Sequence, residues 1–117
     1  MKQDNIIQSK SFQFSLKMIA LYKILTENKE FVISKQLLRS SISIGANVEE
    51  AIAAQSKRDF IAKMSIASKE ARETKYWLRL LNESQFIFEF DYTKYLADIE
   101  EIINILTAIV KTSQSHV

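Results

Sequence analysis

Residues 35–81 read KQLLRSSISIGANVEEAIAAQSKRDFIAKMSIASKEARETKYWLRLL. No proline interrupts the run and its one glycine is Gly45, so two long helices meet no backbone obstacle. Leu38, Ile42, Gly45, Val48 and Ile52 recur at helical spacing, supported by Leu37, Ile44 and Ala51. Phe60, Met64, Ala67, Ala71, Leu78 and Leu81 repeat the pattern, widened by Ile61, Ile66, Trp77 and Leu80. Polar residues keep the same spacing beside these stripes. Arg39, Ser43, Asn47 and Glu50 fall on one line of the first helix, and Glu70 and Glu73 sit against the apolar face of the second. The arrangement predicts a partly buried polar network between the two helices. In it the Arg39 fork, the Asn47 amide and the carboxylates satisfy one another, since burying any one charge alone is costly. Gly45 inside a helix costs about 1 kcal/mol relative to alanine. Ser40, Ser41, Ser43 and Ala46 surround it, so the same stretch predicts close approach of a neighbouring helix.

Working outward, Phe14, Met18, Leu21 and Leu25 define a helix from about Ser11 to Glu27, widened by Leu16, Ile19 and Ile24. Residues 28–32 break the pattern, and Ser34 is placed to cap the second helix. Ser56 opens the third helix, with Asp59 as a weaker capping-box acid. Phe86, Phe88 and Phe90 alternate as in a strand, but a lone strand has no partner. A hydrophobic connection over the end of a bundle is the better reading. Asp91 caps a fourth helix carrying Leu96, Ile99, Ile103, Leu106 and Val110, with Ile102 and Ile109 beside them, and residues 112–117 fray. Four amphipathic helices with short links predict an all-α, antiparallel up-down-up-down four-helix bundle. It forms one domain over residues 1–117, with its core at about 11–112.

Composition agrees: proline is absent and glycine occurs once, where a sheet protein would need frequent turn residues. With no cysteine there is no disulfide, thiolate metal site or cysteine nucleophile. No apolar run resembles a signal peptide or a membrane span, so a cytoplasmic protein without a membrane partner is expected. The net charge of +2 is unevenly spread. Residues 1–40 carry seven basic and three acidic side chains, residues 41–84 seven and six, and residues 85–117 two and five.

No catalytic constellation emerges. Glu49, Glu50, Glu70 and Glu73 are the one acidic cluster to weigh. Di-iron bundles, however, draw imidazole from Glu-x-x-His pairs, and the single histidine, His116, lies near the end of the chain. An oxygen-only magnesium or manganese site at Glu50, Glu70 and Glu73 is the enzyme alternative; the leading expectation is no metal, no cofactor and no small-molecule substrate. Serines are plentiful, but neither a catalytic histidine nor a phosphate-cradling glycine loop accompanies them. Lys57, Arg58 and Lys63 stand near the start of the third helix, and Lys69, Arg72, Lys75 and Arg79 follow along it. Such a row suits nucleic-acid phosphates; a solvated helix face with i,i+4 ion pairs reads identically.

LLRSSISIGANVEEA and DFIAKMSIASKEARETKYWL carry a resemblance to the 23S rRNA intervening-sequence protein family, over about Phe12 to Leu106. Arg39, Ser43, Ile44, Asn47 and Glu50 match, as do Phe60, Ala67, Glu70, Glu73, Trp77 and Leu78. Where that family commonly has Asn-Ile-Ala-Glu-Gly, this chain has Asn47-Val48-Glu49-Glu50-Ala51, which adds a charge and removes a flexible break. The resemblance implies a homo-oligomer, a five-fold ring, without established enzyme activity. Some members are encoded in ribosomal RNA gene inserts. The similar accessory protein of diversity-generating retroelements works with a reverse transcriptase and nucleic acid through a basic surface. The expected function is a non-catalytic, self-associating interaction module acting on RNA or a ribonucleoprotein. The rival within the same class is a protein scaffold that uses apolar helix surface and the region from Phe86 to Phe90.

Overall fold

Helices α1 (Lys2–Glu27), α2 (Ile33–Ile52), α3 (Lys57–Glu83) and α4 (Thr93–Ser115) account for most of the chain, with no strand among the described residues. The computed structural model describes the backbone of residues 2–116 and the side chains of residues 4–116. Each helix packs on two neighbours in the ring order α1–α2–α3–α4; α2 against α3 is the most extensive seam and α4 against α1 the slightest. Residue numbers rise on one helix as they fall on the next. Arg39 meets Glu73 while Glu50 meets Lys63, and Lys10 meets Glu101 while Lys17 meets Asp98. The result is a slender bundle, 48 × 20 × 19 Å.

Helix α1 starts well before the expected Ser11. Its buried stripe is Ile7, Ser11, Phe14, Met18, Leu21 and Leu25, so a serine interrupts the apolar pattern and hides the first two turns. The Ser11 hydroxyl satisfies itself on the Gln8 carbonyl at 3.2 Å. Leu16 and Ile19, expected to widen the core stripe, are exposed. In α2 the stripe is rotated from the expected one. Leu37, Ile44, Val48 and Ala51 are buried together with Ser34, Ser40 and Ser41, while Ile42 and Ile52 are exposed. Small hydroxyl residues let α2 lie close to its neighbours: Ser40 Oγ bonds Thr74 Oγ1 of α3 at 2.9 Å in a fully buried contact. Gly45 faces α1, where an added Cβ would stand 3.5 Å from Ser15 Oγ and 3.6 Å from the Ser11 carbonyl.

The ends of the helices follow local chemistry. Glu30, not Ser34, caps α2: its carboxylate accepts the amides of Val32, Ile33 and Ser34, while the Ser34 hydroxyl turns inward onto the Glu30 carbonyl. A carboxylate opposite several unpaired N–H groups at a helix start answers both their hydrogen bonding and the helix dipole. Without a glycine at Ala51, α2 runs on to Ile52 and stops at Ala53 through ordinary backbone bonds to Glu49 and Ala51. Ser56 Oγ accepts the Asp59 amide at 3.0 Å, which starts α3. Between α3 and α4, Phe86, Ile87 and Phe90 fold against the core and Phe88 points outward, 83% exposed. Tyr92, itself buried, ties this connection down by donating its hydroxyl to the Phe86 carbonyl. Asp91 accepts the amide and hydroxyl of Thr93 at the start of α4, and both bonds hold its carboxyl below the usual carboxylate range. Helix α4 continues through Thr112, where fraying is expected, to Ser115, with Ile109 buried in the core; Val117 lies outside the described residues.

Candidate functional site

The most connected polar cluster lies on the α2–α3 seam. Spacings i, i+3 and i+7 on α3 put Glu70, Glu73 and Trp77 on the side facing α2. Glu73 Oε2 accepts Arg39 Nη2 at 2.6 Å and Trp77 Nε1 at 3.1 Å. Arg39 Nη1 stands 3.8 Å from Glu70 Oε2, and Gln36 Oε1 lies 3.4 Å from the guanidinium. The remaining residues of the expected network are elsewhere. Ser43 donates to the Arg39 carbonyl at 2.7 Å and Asn47 to the Ser43 carbonyl at 2.9 Å. Short polar side chains inside a helix find the carbonyl four residues back sooner than a partner across a seam. Glu50 pairs with Lys63 at 3.0 Å, nearer the other end of α3. The six residues thus divide into an Arg39–Glu70–Glu73 cluster, two local helix bonds and one separate ion pair.

The cluster has little chemical capacity. The Arg39 side chain is half exposed, and its partner carboxylates are engaged in fixed bonds to a guanidinium and an indole. Among the described residues no three acidic or histidine side chains come together as metal ligands. His116, the only histidine, is exposed at the C-cap of α4.

The basic residues of α3 are drawn to different partners. Lys63 turns toward α2, and the hydrogen bond and charge of Glu50 raise its pKa above the ordinary lysine value. Lys75 crosses to Glu100 of α4 at 2.7 Å, Arg79 pairs with Glu83 one turn on, and Arg72 donates to Thr107 of α4 at 3.2 Å. Lys57, Arg58 and Lys69 are exposed and have no ion pair among the described residues. Lys57 also borders a cleft of about 650 Å³ at the end of the bundle, with Ala51, Ile52, Phe60 and Ile109 among its lining.

Sequence reasoning missed the most uneven feature of the surface. Phe12, Leu16 and Ile19 of α1, Ile42 of α2, and Ile66, Tyr76 and Leu80 of α3 are exposed, whereas α4 contributes no large exposed apolar side chain among the described residues. The two sides of the α1–α2 seam explain the placement. Ser11 and Ser15 of α1 face Gly45, so Phe12 and Ile19 border the outer edge of that seam, and Ile42, one turn before Gly45, borders it from α2. Helix α4 is instead laced to both neighbours by Lys10–Glu101, Lys17–Asp98 and Lys75–Glu100. A surplus of apolar positions in α1 was the available signal: Leu16 and Ile19 lie too far round the helix from Phe14 and Met18 for one core to take all of them.

The family model described as 23S rRNA-intervening sequence protein matches residues 3–108. A crystal structure of a protein of unknown function from the S23 ribosomal protein family of Bacteroides thetaiotaomicron is 49% identical and superposes with a TM-score of 0.88. The match covers 93% of this chain and 98% of that one. No curated protein matches the chain.

Proposed function

Because this chain belongs to the 23S rRNA-intervening sequence protein family, we propose that it is a non-catalytic cytoplasmic helical bundle that associates with copies of itself and serves as an interaction module. The observation that carries the reading is the one-sided surface: α1, α2 and α3 expose large apolar side chains and α4 exposes none among the described residues. Monomeric proteins scatter exposed apolar residues, whereas patches on adjoining helices mark places where another surface docks. Phe12 is 59% exposed, and burying such a side chain fully contributes about 1.5–3 kcal/mol relative to leaving it in water. A closed ring of copies, five on the pattern that the family resemblance implies, would cover these faces and leave α4 to solvent. Replacing Phe12 and Ile42 together by serine should release monomers while leaving helical circular dichroism unchanged. Retention of the wild-type mass by that variant would refute the assignment of the face.

A second reading, binding of RNA or a ribonucleoprotein, has its own support. Once Lys63, Lys75 and Arg79 are set against their acids, the unpaired cations Lys57, Arg58 and Lys69 remain on α3, joined by Arg72 and by Lys111 of α4. Binding would be electrostatic, so affinity should fall steeply as salt rises. A protein that retains no RNA even at low ionic strength would leave the pure scaffold as the function.

A further inference from the structure

A groove of about 250 Å³ follows the α3–α4 seam. Ser65, Ser68 and Arg72 line it from α3, and Thr107, Val110, Lys111 and Gln114 from α4. All but Val110 carry an N–H or O–H, and none is a carboxylate. The cations elsewhere divide into paired and unpaired ones: Lys23, Lys35, Lys57, Arg58 and Lys69 have no ion pair among the described residues. Lys10, Lys17, Arg39, Lys63, Lys75 and Arg79 all stand against an acid. Arg72 instead touches only the Thr107 hydroxyl, and Lys111 has no ion pair among the described residues. The chain around the groove holds no acid: neither Phe60 to Lys69 nor Ile102 to Ser115 contains aspartate or glutamate. Glu70 and Glu73, the next acids on α3, are drawn to Arg39 on the opposite seam.

We propose that this groove is a binding site for a phosphate group. Thr107 accepts one bond from Arg72 and so holds the guanidinium over the seam, with its remaining N–H groups available for a pair of anionic oxygens. Lys111 supplies a second charge from the facing helix. Ser65 and Ser68 supply hydroxyls suited to the other oxygens of a tetrahedral anion. The groove is open to water, so binding is modest and salt-sensitive. The phosphate could be free or belong to a polynucleotide backbone; with the backbone as source, the inference rests on the RNA reading above, and with free phosphate it does not.

The test uses the full chain and two double variants. Arg72→Gln/Lys111→Gln empties the groove of charge, and Lys23→Gln/Lys35→Gln removes the same charge from α1 and α2. Inorganic phosphate is titrated against chloride at matched ionic strength while amide chemical shifts are followed, and a single-stranded RNA oligonucleotide is titrated separately across a salt series. Phosphate should shift the amides of 65–72 and 107–114 in wild type and in the α1–α2 variant, but not in the groove variant. RNA affinity should fall about tenfold in the groove variant alone, with the slope of log affinity against log salt reduced by about 1.4. A phosphate response without RNA retention supports the groove and rejects the RNA reading. Loss of RNA affinity in the groove variant without a phosphate response supports it with the backbone as source. Equal RNA affinity in all three proteins and no phosphate response overturns the groove and leaves the RNA reading standing. No response to either ligand overturns both.

Discussion

Arg39, Glu73 and Trp77 meet because helical spacing, charge and shape agree at one point. The planar guanidinium and the indole N–H both find Glu73 Oε2, so one carboxylate oxygen serves two helices. Truncating Glu73 to alanine strands the indole N–H and leaves the guanidinium with only Glu70 and Gln36. A partly exposed pair contributes less than a buried one, so a loss of about 1 kcal/mol is expected in urea unfolding, with a changed Trp77 fluorescence. Unchanged stability and emission would mean that the cluster is ornamental. At Gly45 the expected sign is opposite. A Cβ would meet Ser15 and Ser11 at ordinary contact distances, so Gly45→Ala should stabilise the chain by up to about 1 kcal/mol through helix propensity. A lower melting temperature for that variant would show that α1 and α2 need the gap. Arg39, Glu70 and Glu73 were legible in sequence because long charged side chains at i, i+3 spacing reach across a seam. Ser43 and Asn47 were not, because a short side chain can choose its own backbone, and spacing alone does not show which acceptor wins.

Among the elements, the α3–α4 connection is where one bond does most to fix a path. Gln85, Ile87 and Glu89 all adopt positive φ, a conformation that is costly for a β-branched residue such as Ile87. The Tyr92 hydroxyl bonded to the Phe86 carbonyl, with Phe90 stacked near Tyr92 and Tyr95, helps hold that backbone in place. Burial, with Glu30 and Tyr95 nearby, pushes the Tyr92 phenol from 10.0 up to about 12. A raised pKa on an acid means that the folded state favours the neutral phenol. Its contribution is therefore whole below pH 10.0 and is lost as pH rises toward about 12. Tyr92→Phe should cost about 1 kcal/mol at neutral pH and should flatten the alkaline loss of stability between those values. A variant whose alkaline profile overlays that of wild type would place the titration elsewhere. The four helices were legible from periodicity, and so were Ser56 and Asp91 as caps. The first turns of α1 were hidden because buried Ser11 breaks the apolar stripe. The cap of α2 was misplaced because Glu30 precedes the helix and looks like a loop charge.

For the molecule as a whole, sequence pattern reveals that apolar surface exists but not which part of it stays open. Ile7 is buried and Ile19 exposed although both are isoleucines on one helix; the difference is the rotation of α1 about its axis, set by where Ser11 and Ser15 let α2 approach. That rotation leaves apolar side chains outside α1, α2 and α3 and none outside α4 among the described residues. The proposed self-association therefore stands at the centre of the account, because it would cover the faces that a solitary bundle leaves in water. The direct measurement is the molar mass of the wild-type chain by light scattering across a dilution series. A mass that is a multiple of 13.5 kDa and persists on dilution is expected; a mass of 13.5 kDa at every usable concentration would contradict it.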